Sequence, residues 1–300
     1  VKRERRYALE ALAARIVGAL IRPLPRRAAL GIGRLLGRCL AALDALHLKI
    51  AVDSLRVSFP DWDEARLRRT ARAVYAHFGA VVIDILWLEG RTRQELLSLV
   101  DVIGREHVAA AMAAGKGVIL CGAHIGNWEL HGIAHGWLFG AIDVVARPLD
   151  NPALDARLCA FRSVGGNGVV YKRRALAQVM RCLRGGRGVA MLLDQNVLAH
   201  DGIFIRFFGR PAAATTVAAA LALKTGCALV PSHTELLPDG RYRLHYEPPL
   251  GVLPDAERVA EIARVTQELA ARTEAWVRRI PEQWLWIHRR WQTQPSELSK

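Results

Sequence analysis

Cysteine is sparse in this chain of 300 residues, and the five present are Cys39, Cys121, Cys159, Cys182 and Cys227. The number is odd and no two have C-x-x-C spacing, so neither a disulfide scaffold nor a zinc ribbon is indicated. Flanked mostly by apolar residues, they read as small buried hydrophobes in a reducing compartment. Acidic residues are also short, 28 against 42 basic ones, for a formal net charge of +14. That imbalance predicts acidic partners: nucleic acid, an anionic membrane surface, a phosphorylated substrate or an acidic carrier protein. It does not choose among them, and a solvated basic face gives the same total. No charge-free apolar run reaches the roughly 18 residues that a transmembrane span needs. A G-x-S-x-G elbow, a Walker loop, internal repeats and low-complexity linkers are all missing. His131 and His135 have the i,i+4 spacing of a zinc helix, but no glutamate follows His131 and no third ligand is evident. Gly165-Gly166-Asn167-Gly168 precedes a strand candidate and does not join a strand to a helix, which excludes a dinucleotide fingerprint. Lys172-Arg173-Arg174 lacks the interleaved aromatics of a nucleic-acid surface.

What is present begins with a basic cluster, Lys2, Arg3, Arg5 and Arg6, followed by an apolar stretch over 8–21 that Glu10 and Arg15 interrupt. No small-residue cleavage site stands out, so the stretch does not read as a signal peptide. A second helical pattern covers 28–48, punctuated by Arg34 and Arg38. Two basic amphipathic helices suit either an anionic bilayer or ordinary packing on a domain. Phe59-Pro60 closes this segment; Asp61, three residues before Glu64, is capping-box-like and predicts a helix from there to about Glu89.

From residue 100 short apolar runs alternate with helical stretches. Strand candidates fall at 100–103, 118–121, 142–146, 168–171, 189–193, 228–233 and 242–247, with helices between most of them and a long C-terminal helix over 255–280. The alternation predicts an α/β fold, a central sheet flanked by helices with its chemistry at strand ends. Residues 1–58 form a helical, membrane-associating N-terminal extension on this reading, and 59–300 the main domain.

The strongest chemical signal is Gly122-Ala123-His124-Ile125-Gly126-Asn127-Trp128-Glu129, directly after a strand candidate and running into a helix. Histidine there is exposed at a strand's C-terminal end. Glu129, about one turn into the helix, is expected to fold back on the imidazole, fixing its tautomer and stabilising the imidazolium formed on proton abstraction. No serine nucleophile accompanies the pair, so the nucleophile would be a substrate hydroxyl.

With these residues in view, the chain resembles the bacterial lipid A late acyltransferases (lauroyl and myristoyl transferases) of the lysophospholipid acyltransferase superfamily, whose hallmark is H-x4-D/E. The mycobacterial phosphatidylinositol mannoside acyltransferase is similar. The resemblance runs through Phe59-Pro60, His124–Glu129, Arg147-Pro148, Asp194-Gln195-Asn196, Phe207-Phe208-Gly209-Arg210, Val230-Pro231 and Pro281-Glu282-Gln283-Trp284. It implies a mixed, glycerol-3-phosphate acyltransferase-like sheet and transfer of a fatty acyl chain from an acyl carrier protein or coenzyme A thioester to a hydroxyl of a membrane lipid such as a lipid A precursor. No further cofactor, metal or nucleic acid is implied, and the place of work is the cytoplasmic face of the bacterial inner membrane. His124 would be the general base and Glu129 its partner, with Asp194 an acidic position close to the histidine that could orient His124 or the acceptor hydroxyl. Asn127, Arg147, Gln195, Phe208 and Arg210 would bind substrate, Arg147 by clamping phosphate and Phe208 by lining the acyl channel. Gln195-Asn196 departs from the family's more usual second acidic or histidine residue, which leaves the acceptor open. Each of these side chains also has an ordinary role: a strand-end arginine for Arg147, a turn cap for Asp194, a core turn for Phe207-Phe208-Gly209, core packing for Trp284 and Trp286. Two other classes share the charge pattern. A non-catalytic binder of anionic membranes has no use for His124 and an acid at the base of a pocket, and a nucleic-acid binder needs one continuous basic face.

Overall fold

A computed structural model describes residues 2–171 and 175–295, so Lys172-Arg173-Arg174 lies outside the described residues. The chain opens with four helices, α1 (Lys2–Ile21), α2 (Arg26–Leu43), α3 (Ala45–Ser58) and α4 (Glu64–Leu88). The single helix expected over 28–48 is broken at Asp44. Its carboxylate accepts the backbone N–H of His47 at 3.2 Å to start α3 and accepts the Tyr75 hydroxyl at 3.0 Å. Likewise the cap of α4 is Asp63, which accepts the N–H of Arg66 at 2.6 Å, and not Asp61.

Helix α4 is long and apolar enough to cross a membrane, but 56% of its apolar window is buried inside the fold. Leu67, Ala71, Val74, Ala80 and Val81 are at most 2% exposed, so α4 is a core helix. α2 crosses it at backbone distance: a Cβ on Gly37 would collide with the Tyr75 carbonyl, and one on Gly79 with the Gly33 carbonyl. A buried ionic knot locks the crossing. Arg26 of α2 forks onto both oxygens of Asp84 in α4 at 2.8 and 2.9 Å. The N-terminal helices are thus keyed into the main body, although the chain does turn at Phe59-Pro60, where an extension was expected to end.

The sheet follows: β1 (Val100–Ile103), β2 (Val118–Gly122), β3 (Ile142–Ala146), β4 (Gly168–Tyr171) and β5 (Gly188–Leu192), then a hairpin of β6 (Ile203–Phe207) and β7 (Arg210–Ala214), and finally β8 (Ala228–Leu236) and β9 (Tyr242–Tyr246). Seven strands stand in the order β1-β9-β8-β2-β5-β3-β4, and β6-β7 forms a separate two-stranded sheet. Strands β8, β2, β5, β3 and β4 run parallel, while β9 is antiparallel to β8 and pairs in parallel with β1. This is the helix-flanked sheet that the alternation predicts, mixed as the resemblance implies. The helices are α5 (Arg93–Ser98), α6 (Arg105–Ala113), α7 (Trp128–Phe139), α8 (Pro152–Ser163), α9 (Ala175–Arg184), α10 (Val217–Thr225) and α11 (Arg258–Arg279). Helix α11 begins three residues later than its pattern suggests, at the cap Glu257.

Three features escaped the sequence reading. The short helix α5 carries a full capping box, Thr92 with Glu95. The β6–β7 hairpin turns on Phe208 and Gly209, both with positive φ (+50° and +72°), the geometry of a tight primed turn. Alternating Ile203, Ile205 and Phe207 ahead of Gly209 was the signal for it. The third is how the tryptophan-rich tail packs: Trp284 and Trp286, 1% and 0% exposed in line with the core role open to them, meet Phe59, Phe207, Phe208 and Ile125. The five cysteines are free; Cys121, Cys182 and Cys227 are buried as expected, but Cys39 stands exposed on α2.

Candidate active site

β2 and β5 are neighbours, and their register sets Gly122 opposite Leu192. Two residues further along each strand come His124 and Asp194, so the pairing delivers the imidazole and the carboxylate to the same point at the C-terminal edge of the sheet. The contact is close. His124 Nδ1 lies 2.7 Å from Asp194 Oδ1, and the His124 backbone N–H donates to Asp194 Oδ2 at 2.8 Å. The Trp284 indole N–H donates to that same oxygen at 2.7 Å. Burial alone would raise the Asp194 carboxyl, but the charge and hydrogen bonds of His124 and the Trp284 donor outweigh it and hold the group at about 2. A carboxylate ionised in this way accepts from Nδ1–H, which leaves Nε2 of a neutral ring as a lone-pair acceptor. Nε2 faces Gln195, whose side-chain amide nitrogen is 3.4 Å away.

The loop that carries His124 is clamped from beneath. Ile125 bridges to Trp284, and the Gly126 N–H donates to the Gln283 carbonyl at 3.1 Å. Gly126 has φ +61°, and a Cβ there would strike the Thr234 carbonyl, so no other residue fits this turn without displacing β8. Around His124 a cavity of about 550 Å³ opens between α7, the face and edge of β8-β2-β5-β3, and α8. Its walls are mixed: Leu120, Ile133, Val144 and Leu158 are apolar, and Glu129, Arg162 and Gln195 are polar. The volume falls in the range of small-molecule sites, about 300–1,000 Å³.

Glu129 lines this cavity but does not touch His124. Its carboxylate is forked by Arg162 of α8 at 2.7 and 2.6 Å and accepts the Trp128 indole at 3.0 Å. The reason lies in the helix. Glu129 sits in the first turn of α7 on the side facing α8, where Arg162 needs a counter-charge, whereas His124 is satisfied by Asp194. The histidine–carboxylate contact expected from H-x4-E is therefore made by a residue 70 positions away.

The remaining expectations divide. Arg147 lines the cavity mouth with its side chain 79% exposed and only a 3.4 Å contact to Asp150, and Gln195 stands beside the imidazole. Asn127 is not at the cavity: fully buried, it caps α7 by accepting the Leu130 N–H at 3.0 Å and faces the Tyr242 hydroxyl. Phe208 and Arg210 are also elsewhere. Phe208 is 6% exposed in the hairpin turn among aromatics, and the Arg210 guanidinium lies 5.7 Å over the Trp291 ring. Both take part in hairpin packing, and neither lines the His124 cavity. His131 and His135 of α7 meet Tyr246 edge-on and tilted, and burial pushes both rings down to about 3, so they are neutral. The sequence reading missed Arg162 as the partner of Glu129 and Trp284 as a donor to Asp194; neither has a local signal, since each acts across the fold.

Comparison with known proteins bears on this arrangement. The chain is 28% identical over 280 residues to the lipid A biosynthesis lauroyltransferase of Escherichia coli K12, covering 91% of this chain and 87% of that one. It is 27% identical to the phosphatidylinositol mannoside acyltransferase of Mycolicibacterium smegmatis, covering 75% and 72%. With the lipid A biosynthesis palmitoleoyltransferase of Escherichia coli K12 it shares 26% identity, covering 82% and 79%. Residues 2–293 match a single family from end to end, so a non-catalytic membrane binder gives way to an enzyme: the chain belongs to the bacterial lipid A biosynthesis acyltransferase family.

Proposed function

We propose that this acyltransferase moves a fatty acyl group from a thioester, carried by an acyl carrier protein or coenzyme A, to a hydroxyl of a membrane glycolipid of the lipid A precursor type, with His124 as general base. The observation that carries this reading is the His124–Asp194 pair, buried on the Asp194 side and open on the Nε2 side to a cavity with an apolar wall. The acceptor hydroxyl approaches Nε2 in place of the Gln195 amide. His124 takes its proton as the oxygen attacks the thioester carbonyl, and Asp194 stabilises the imidazolium. The tetrahedral intermediate expels the thiolate, which recovers the proton from His124. The acyl chain lies along Ile133, Val144 and Leu158, and Arg147 meets substrate phosphate at the mouth. Glu129 and Arg162 hold α7 to α8 and so set the cavity wall. Both substrates bring their reactive groups with them, and no cofactor takes part in the steps.

The same reading puts the enzyme on the cytoplasmic face of the inner membrane. α1 exposes Leu9, Leu12, Ile16 and Leu20, and α2 exposes Leu35, Leu36, Leu40 and Leu43, with arginines between them. Apolar rows flanked by basic residues suit an anionic leaflet. The test of the chemistry is His124→Ala, assayed with acyl thioester and lipid acceptor. Acyl transfer is expected to fall by about 10²–10⁴ with the thermal unfolding midpoint kept. Near-normal turnover in the folded variant would falsify the mechanism.

A further inference from the structure

A second crevice, of about 600 Å³, lies on the other side of α8, between that helix, α1 and the end of α4. Three arginines line it, Arg15 of α1, Arg22 just after α1 and Arg157 of α8, against one acid, Glu89. The single carboxylate is already shared. Arg157 forks onto it at 2.7 and 2.6 Å, and Arg22 also reaches it. Two of the guanidiniums are not fully paired within the protein. Arg157 Nη1 is buried with no acceptor, and Arg15 has no ion-pair or hydrogen-bond partner among the described residues. Three guanidiniums about one carboxylate leave a formal excess of two positive charges. An anion with several acceptor oxygens in the crevice would pair with Arg15 and offset the excess charge of Arg22 and Arg157, as phosphate does.

The position of the crevice narrows the source of that phosphate. Ala11, Arg15 and Arg22 recur at helical spacing on the side of α1 that faces α8, while Leu9, Leu12, Ile16 and Leu20 are exposed on its other side. An apolar row at that level sets α1 at the boundary between headgroups and acyl chains, and the basic crevice beside it lies at headgroup depth. Arg15, which interrupts the apolar stretch in the sequence, then has a purpose. We propose that the crevice binds the headgroup phosphate of an anionic phospholipid, a site separate from the acyl cavity across α8. The proposal rests on α1 facing the membrane, but not on the acyl-transfer chemistry.

The test uses the full-length chain and calorimetric titration with dihexanoyl phosphatidylglycerol below its micelle concentration, so that binding to the crevice is read without membrane docking. Saturable binding is expected, weakened about tenfold or more in Arg15→Gln, as loss of one charge-assisted contact implies. Arg15 is exposed and unpaired among the described residues, so this variant is expected to fold; Arg157→Gln, which also breaks a pair with Glu89, is the second probe. Arg5→Gln removes the same charge from the same helix outside the crevice and is expected to change affinity less than about twofold. Equal losses in Arg5→Gln and Arg15→Gln, or no saturable binding, overturn the site. Inorganic phosphate binding as tightly as the lipid overturns the headgroup assignment. Sedimentation with phosphatidylcholine vesicles, with and without phosphatidylglycerol, separates the two readings. Binding of the short-chain lipid with the variant pattern above but no vesicle binding refutes the membrane-facing α1 and leaves the crevice standing.

Discussion

Two carboxylates serve the His124 cavity from different places, Glu129 in its wall and Asp194 behind the imidazole, and they differ in what they hold. Asp194 is bound to His124 and Trp284, and Glu129 to Arg162 and Trp128. Asp194→Asn is expected to lower kcat by about 10²–10⁴, because an amide neither selects the Nδ1–H tautomer nor stabilises the imidazolium. It also has an acid signature. The folded carboxyl sits near 2 against an ordinary 3.8, so its contribution to stability is present above pH 4 and is lost as pH falls through 2. The stability gap between the native protein and Asp194→Asn, read by chemical denaturation, is expected to narrow by about 1 kcal/mol from pH 6 to pH 3; a gap independent of pH would refute the assignment. Glu129→Gln acts differently. It strands a guanidinium that is 11% exposed, and a loss of about 3–5 kcal/mol is expected. Adding Arg162→Met to Glu129→Gln should restore most of that stability, since the uncompensated charge is then gone. A double variant no more stable than the single one would show that Glu129 matters for some reason other than the pair.

At the scale of the element, the two faces of α1 differ. Its inner side packs on α8, where the Asn151 side chain donates to the Tyr7 carbonyl and to Glu10 at 2.9 Å each, and its outer side carries the exposed leucines and isoleucine. Leu12 and Ile16 are 52% and 51% exposed, so replacing both with glutamate leaves the fold untouched. Membrane binding would lose about 1.5–3 kcal/mol for each apolar side chain that no longer inserts. Vesicle co-sedimentation of Leu12→Glu/Ile16→Glu is therefore expected to drop by tenfold or more, while its unfolding midpoint holds. Unchanged sedimentation would move the membrane contact to α2, whose Leu43 is 84% exposed.

Taken whole, the molecule stores several neutral histidines in its interior. Burial lowers His77 to about 4 and His131 and His135 to about 3, and His233 is also brought well below its ordinary 6.5. The unfolded chain would bind protons at these sites from pH 6.5 downward while the folded chain would not, so each histidine costs stability as the pH falls. The slope is about 1.4 kcal/mol per pH unit for each such group. The unfolding midpoint measured by calorimetry is expected to fall steeply between pH 6.5 and pH 4, well above the range in which Asp194 titrates. A midpoint that stays level over that interval would mean that these rings are charged or hydrated in the folded protein.

The periodicities of 2 and 3.6 residues, read along the chain, were enough for the βα alternation, for nearly every strand and for His124 at the exit of a strand, because each of these depends on neighbours a few residues away. Capping chemistry was legible too, although Asp63 took the place that Asp61 was read to fill. What only the tertiary structure decided is who meets whom. β5 pairs beside β2, and that pairing brings Asp194 and not Glu129 to the imidazole. The ordering of parallel strands is set by crossovers and packing that no local pattern encodes. By the same token Asn127 and Phe208 carry strong residue types for a site, yet their elements make one a helix cap and bury the other in the hairpin turn. The tryptophans of the tail became the floor beneath His124 because the hairpin and α3–α4 left a large apolar space there, and space of that kind exists only once the chain has folded.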